Sequence, residues 1–171
     1  RGYSASNWSN YNTGIPADRK CIVFFKYKNN TNYIVHQLVV NGYWCVTNGG
    51  VVDNLDMYIF SDMPVNTPSL AYGVEIYNSK GECIINNGTK PLQFTQLSWN
   101  RGQMPSTTYP YEIASTVGFF GIENAQWFCI GLFFVAKGRY IVTSVAEGLP
   151  PEWNNYYWEG TLLVLNTADY D

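Results

Sequence analysis

Apolar and polar residues alternate with period two through much of this chain, the pattern of half-buried β-strands. The clearest stretch opens at Tyr72, where Tyr72, Val74 and Ile76 alternate with Gly73, Glu75 and Tyr77. Asn78-Ser79-Lys80-Gly81 then predicts a turn. Asn78 can hydrogen-bond its own backbone, and Gly81 takes a positive φ without steric cost. Residues 82–86 form the return strand, and Asn87-Gly88 punctuates the chain before residues 90–97 resume as a third strand. The expectation is a hairpin, with Asn78 and Gly81 as its structural turn residues, around which the rest of the chain packs.

On the N-terminal side, residues 20–28, 33–41 and 43–47 predict a three-stranded meander, and residues 55–60 a further strand. On the C-terminal side, residues 116–122, 126–136, 139–146 and 156–166 predict strands, with Lys137-Gly138 as a tight turn. No segment sustains a 3.6-residue period for three turns, and no repeat of 20–50 residues is visible. These observations predict an all-β chain, an antiparallel sandwich or barrel-like fold of about ten strands with little helix. Residues 1–19 are rich in Asn, Ser, Gly and Tyr and read as an irregular N-terminal arm. Residues 20–171 then form one β domain, with the Pro- and hydroxyl-rich loop at 100–112 as the place where it would subdivide.

Composition narrows the function classes. Charged residues make up 13% of the chain and aromatics 17%, a balance that suits a protein whose surface is covered by neighbours or neutral ligands. The net charge of −3 and the lack of any Lys/Arg cluster longer than two argue against nucleic-acid binding. The longest apolar run, residues 128–136, is too short for a membrane span, and the opening run RGYSASNWSNYNTG has no signal-peptide pattern. Cys21, Cys45, Cys83 and Cys129 are widely spaced without a C-x-x-C. Each sits in an apolar or strand-like run, so four buried thiols in a reducing compartment are favoured over two disulfides.

Candidate chemistry is sparse. His36 is the only histidine, and on a strand it shares a face with Ile34 and Leu38, the pattern of a structural histidine. No G-x-S-x-G elbow or cysteine-protease signature accompanies it. Glu75 and Glu82 face each other across the hairpin and are the carboxylate pair a glycosidase would need, although such pairs are ordinary on β surfaces. Asp53-Asn54-Leu55-Asp56 lacks the ligand count and glycine of a calcium loop and reads as a turn. No cofactor, metal or catalytic residue is assigned. Trp153, Tyr156, Tyr157 and Trp158 cluster in EWNNYYWEG, which reads as a protein interface, as a core strand, or as a platform on which a neutral sugar ring stacks. Trp8 and Tyr11 are the anchors expected to hold the arm against a partner.

The hairpin carries one likeness. Its core, G-V-E-I-Y-N-S-K-G-E-C-I-I-N-N from Gly73 to Asn87, resembles a hairpin in a group of small uncharacterised bacteriophage tail proteins. The shared order is a glycine, alternating apolar residues, an aromatic-Asn pair, a short turn and a second glycine. The resemblance implies an all-β structural protein of a virion, at or near the tail, with no known enzymatic activity. It implies as partners other tail proteins and copies of the chain around the tail axis, after synthesis in the host cytoplasm. The alternative from another class is a carbohydrate-binding or receptor-recognition β-sandwich whose partner is a host-surface glycan.

Overall fold

The computed structural model describes residues 2–5, 10–28, 35–48, 52–65, 73–101, 103, 107–125, 128–149, 156–157 and 159–171. The chain is all-β and consists of several sheets, one of them curled into a half-barrel. Its strands are β1 (Gly2–Ala5), β2 (Asn10–Pro16), β3 (Cys21–Tyr27), β4 (Val35–Val40), β5 (Tyr43–Asn48), β6 (Val52–Ser61), β7 (Ile76–Tyr77) and β8 (Cys83–Ile85). They continue as β9 (Thr95–Trp99), β10 (Ile113–Ser115), β11 (Gly118–Ala125), β12 (Phe128–Lys137), β13 (Tyr140–Leu149), β14 (Tyr156–Tyr157) and β15 (Gly160–Asn166). A 3₁₀ turn, Thr167–Asp169, follows β15.

Ten strands form the main sheet, with the path β14-β11-β12-β3-β10-β15-β9, while β13 pairs with β12, β6 with β3, and β1 with β6. A three-stranded sheet, β2-β5-β4, stands apart from it. Strand β3 explains the two layers. Val23, Phe25 and Tyr27 alternate onto one face and join Val35, Val46, Leu55, Met57 and Val135 in one core cluster. That cluster therefore includes residues of the smaller sheet. Phe24, on the other face, packs with Ala114 and Leu165 in a second cluster. A strand buried on both faces reads as a continuous apolar run, which is how CIVFF appears. A third cluster, Trp99, Tyr109, Ile113, Phe134, Ala136, Ile141, Leu162 and Val164, fills the C-terminal half.

Several expectations are corrected. The meander does not form: β3 pairs with β6 over Cys21 to Tyr27, whereas β4 pairs with β5 and β5 with β2. The stretch expected as an irregular arm contains two strands of the chain's own sheets, because β1 pairs with β6 and β2 with β5. Short polar strands of this kind lack the apolar alternation that marks a strand in sequence; main-chain pairing supplies the order. There are fifteen strands among the described residues, not ten. Part of the excess comes from β10 and from the stretch at 156–166, whose two pieces serve different neighbours: β14 pairs with β11, and β15 with β10 and β9. One contact is parallel, β12 with β3 at Ala136↔Lys26 and Lys137↔Tyr27. No tight turn joins those strands, so nothing local forces them to run antiparallel. Residues 53–56, expected as a turn, lie inside β6.

The third strand expected after the hairpin is shorter and lies elsewhere. Residues 90–94 form no strand, because the Tyr170 hydroxyl donates to the Pro91 carbonyl at 2.7 Å and accepts from the Gln93 amide at 2.8 Å. Strand β9 begins only at Thr95 and pairs with β15.

Among the described residues two buried hydroxyls, those of Tyr27 and Ser115, have no hydrogen-bond partner. The Ser115 hydroxyl is buried without a hydrogen bond, in a β10 that is otherwise Ile113 and Ala114. Removing an unsatisfied buried hydroxyl recovers its desolvation penalty, so Ser115→Ala is expected to raise stability by about 1 kcal/mol. Urea unfolding followed by far-UV circular dichroism checks this; a loss of stability would show that the hydroxyl has a partner in solution.

Candidate functional site

The sequence at 73–89 builds a two-stranded ribbon, β7 with β8, that is separate from both larger sheets. Ile76 pairs with Ile85 and Tyr77 with Cys83, antiparallel, with an irregularity between the two pairs. The turn is made by Asn78 and Gly81. The Asn78 side-chain oxygen accepts from the amides of Lys80 at 2.9 Å and Glu82 at 3.0 Å, its carbonyl accepts from the Gly81 amide at 3.0 Å, and Gly81 has φ +78°. At the other end Asn86 organises a second turn, accepting from the Gly88 amide at 2.9 Å. The Asn87 side chain accepts from the Val74 amide at 2.9 Å and lies where a side chain on Gly73 would have to go. The ribbon is thus shaped by its own short polar residues.

What is unusual is where its apolar residues point. Val74 is 67% exposed and Tyr77 54%, and Ile76, Ile84 and Ile85 are exposed as well. A ribbon of two short strands buries too little to be stable by itself. It is tied to the body at a few points. Arg19 grips Glu82 with both guanidinium nitrogens, at 2.8 and 3.3 Å, and the Val65 amide donates to the Cys83 carbonyl at 2.8 Å. Beside it an open apolar groove of about 550 Å³ runs from Ile84 and Ile85 to Ile22, Phe60 and Leu92. A contiguous apolar surface of this kind marks an interaction site.

The Arg19–Glu82 tether has a pH signature. Arg19, then Asn78, which donates to Glu82 at 2.7 Å, hold the Glu82 carboxyl down to about 2 from an ordinary 4.5. A depressed folded-state value contributes stability that is present above the unfolded value and is lost as pH falls through the folded one. The tether is therefore expected to be intact above about pH 4.5 and to be lost as pH falls towards about 2. Carboxyl NMR titration of Glu82 checks this, with Arg19→Gln moving its midpoint up towards the ordinary value. An unmoved midpoint would remove the tether from the account.

Glu75 and Glu82, the carboxylate pair on the hairpin, both have structural partners: Glu75 accepts from the Tyr77 hydroxyl at 2.6 Å, and Glu82 is held by Arg19. Among the described residues no three of His, Cys, Asp and Glu are placed to hold a metal ion, and no helix is long and apolar enough to cross a membrane. Cys21, Cys45 and Cys83 are free thiols. Tyr11, expected as a partner anchor, is half-buried against the chain's own core cluster beneath the smaller sheet. Tyr156 and Tyr157 form β14, and their side chains, like those of His36 and Cys129, lie outside the described residues. Trp8, Trp153 and Trp158 also lie outside them.

The exposed residues that sequence reasoning missed are Val74, Ile76, Ile84, Ile85 and Phe94. The adjacent apolar pair Ile84-Ile85 was the available signal, since consecutive residues of a strand face opposite ways and both faces must then be apolar.

No protein-family model, curated protein or solved structure matches this chain.

Proposed function

We propose that this chain is a structural component of a bacteriophage virion, a minor tail protein held among other tail proteins and repeated around the tail axis. The observation that carries the reading is the β7–β8 ribbon with its outward apolar side chains. It lies within the stretch, Gly73 to Asn87, that resembles a hairpin of phage tail proteins. The ribbon and the apolar groove beside it belong to one chain, so the ribbon of one copy can enter the groove of the next. Such a head-to-tail contact closes into a ring when the rotation between copies closes. The chemistry is recognition by main-chain pairing and apolar burial, with no catalytic role. The thiols of Cys21, Cys45 and Cys83 suit folding in the reducing cytoplasm of a host.

A mass-spectrometric inventory of purified particles tests the reading, together with sedimentation of the purified chain. The chain is expected in particles at a fixed stoichiometry and self-associating at high concentration. Absence from particles, with a monomer at every concentration, would overturn it.

A further inference from the structure

We propose that charge sets the register of the contact between copies. Glu75 on the ribbon of one copy pairs with Lys20 and Lys90 of the next copy's groove, while Val74 and Ile76 meet its apolar lining. The pairing rests on the head-to-tail contact of the reading above and names the residues that make it specific.

Unmatched charge on both sides is the first argument. Lys20 and Lys90 line the groove and are exposed, and among the described residues neither has an ion-pair partner. Asp62, the acid that lines the groove with them, accepts from the Lys20 amide at 2.8 Å. Two ammonium groups against one carboxylate leave the groove positive. The ribbon has the opposite imbalance. Its Glu82 is already held by Arg19, whereas Glu75 accepts from the Tyr77 hydroxyl at 2.6 Å and pairs with no described lysine or arginine. Complementary potentials across a contact fix its register and suppress wrong partners. The chain supplies both halves, so a second copy is the partner.

The order of residues is the second argument. Glu75 stands between Val74 and Ile76, and successive residues of an extended segment turn to opposite sides. A segment entering a groove meets both walls, so one side offers two aliphatic side chains and the other a carboxylate. The groove offers the same two chemistries, an apolar lining and a pair of lysines.

The groove is also built before a partner arrives. The Tyr170 hydroxyl holds Pro91 and Gln93, and its ring meets Phe60 edge to face at 5.0 Å. Phe60 in turn meets Phe24 of the core at 5.8 Å. One wall is thereby tied to the body through Tyr170, and the ribbon wall through Arg19 and Glu82. Docking onto walls already in place costs less ordering.

Sedimentation of the full chain with charge-reversed variants is the test. Glu75→Lys alone, and Lys20→Glu combined with Lys90→Glu, should each weaken self-association roughly tenfold or more, because each sets like charges together. Mixed in equal amounts, the two variants should associate again, since every ribbon then meets a groove of opposite charge. Glu75→Gln keeps an acceptor for the Tyr77 hydroxyl, so the ribbon is preserved, and should weaken association severalfold. Thermal melts confirm that the variants fold. Raising the salt from about 0.1 to about 1 M should weaken the unmodified chain's association by screening. A purely apolar contact would not weaken with salt. Association that none of the variants changes, or no recovery on mixing, would overturn the pairing. Those results with the chain present in particles at fixed stoichiometry would leave the tail reading standing and remove only this contact. Recovery on mixing with the chain absent from particles would do the reverse. A chain that stays monomeric at every concentration would overturn the pairing as well.

Discussion

Trp99→Ala is expected to be the most damaging single substitution outside any interface, costing about 3–5 kcal/mol. Trp99 ends β9, on a strand that otherwise exposes Thr95, Gln96 and Ser98, yet its own ring is buried. Two glycines make room for it. A β-carbon on Gly160, its cross-strand partner in β15, would lie 2.5 Å from the indole, and one on Gly118, at the start of β11, would lie 2.7 Å from it. Phe134 of β12 meets the indole edge to face at 4.9 Å. One ring therefore joins four strands, β9, β15, β11 and β12, and truncating it would leave a cavity that none of them can fill alone. Gly160→Ala tests the same slot from the opposite side. The enclosed indole has nowhere to move, so overpacking should cost about 1–3 kcal/mol. Urea unfolding monitored by far-UV circular dichroism reads both. A Trp99→Ala loss below about 1 kcal/mol would mean that the slot collapses freely, contrary to the packing described.

The second large effect concerns assembly and leaves stability nearly untouched. Val74→Lys combined with Ile76→Lys places two charges on the exposed face of the ribbon. Surface substitutions of this kind change folding stability by about 0.5 kcal/mol or less. On the proposed tail role, the same charges would be buried in the assembled particle without partners. Truncating or charging the anchor residues of an interface commonly costs 2 kcal/mol or more, roughly a thirtyfold loss of affinity. The expected result is a variant that melts like the unmodified chain, fails to self-associate on sedimentation and is missing from purified particles. Normal incorporation of that variant would reject the ribbon as the docking element. Charge at Lys80, on the tip of the turn, is already present, so Lys80→Ala serves as the control and should incorporate normally.

The sequence by itself determined the all-β class, the location of most strands and the chemistry of the Asn78–Gly81 turn. Period-two alternation and turn residues are local properties, and each can be read within a window of a few residues. It did not determine which strands became neighbours. Strand β3 reads like the first leg of a meander, but its partners are β6, β10 and β12, the last two from far along the chain. Pairing of that kind is settled by which apolar faces fit together, and alternation is the same whichever neighbour is chosen. The N-terminal strands were hidden for a related reason: β1 and β2 are ordered by pairing with β6 and β5, partners that lie far along the chain. Tertiary structure also decided where the hairpin's apolar residues lie. Its alternation looks identical whether its apolar residues enter a core or face solvent, and only the placement of the main sheet leaves them outside.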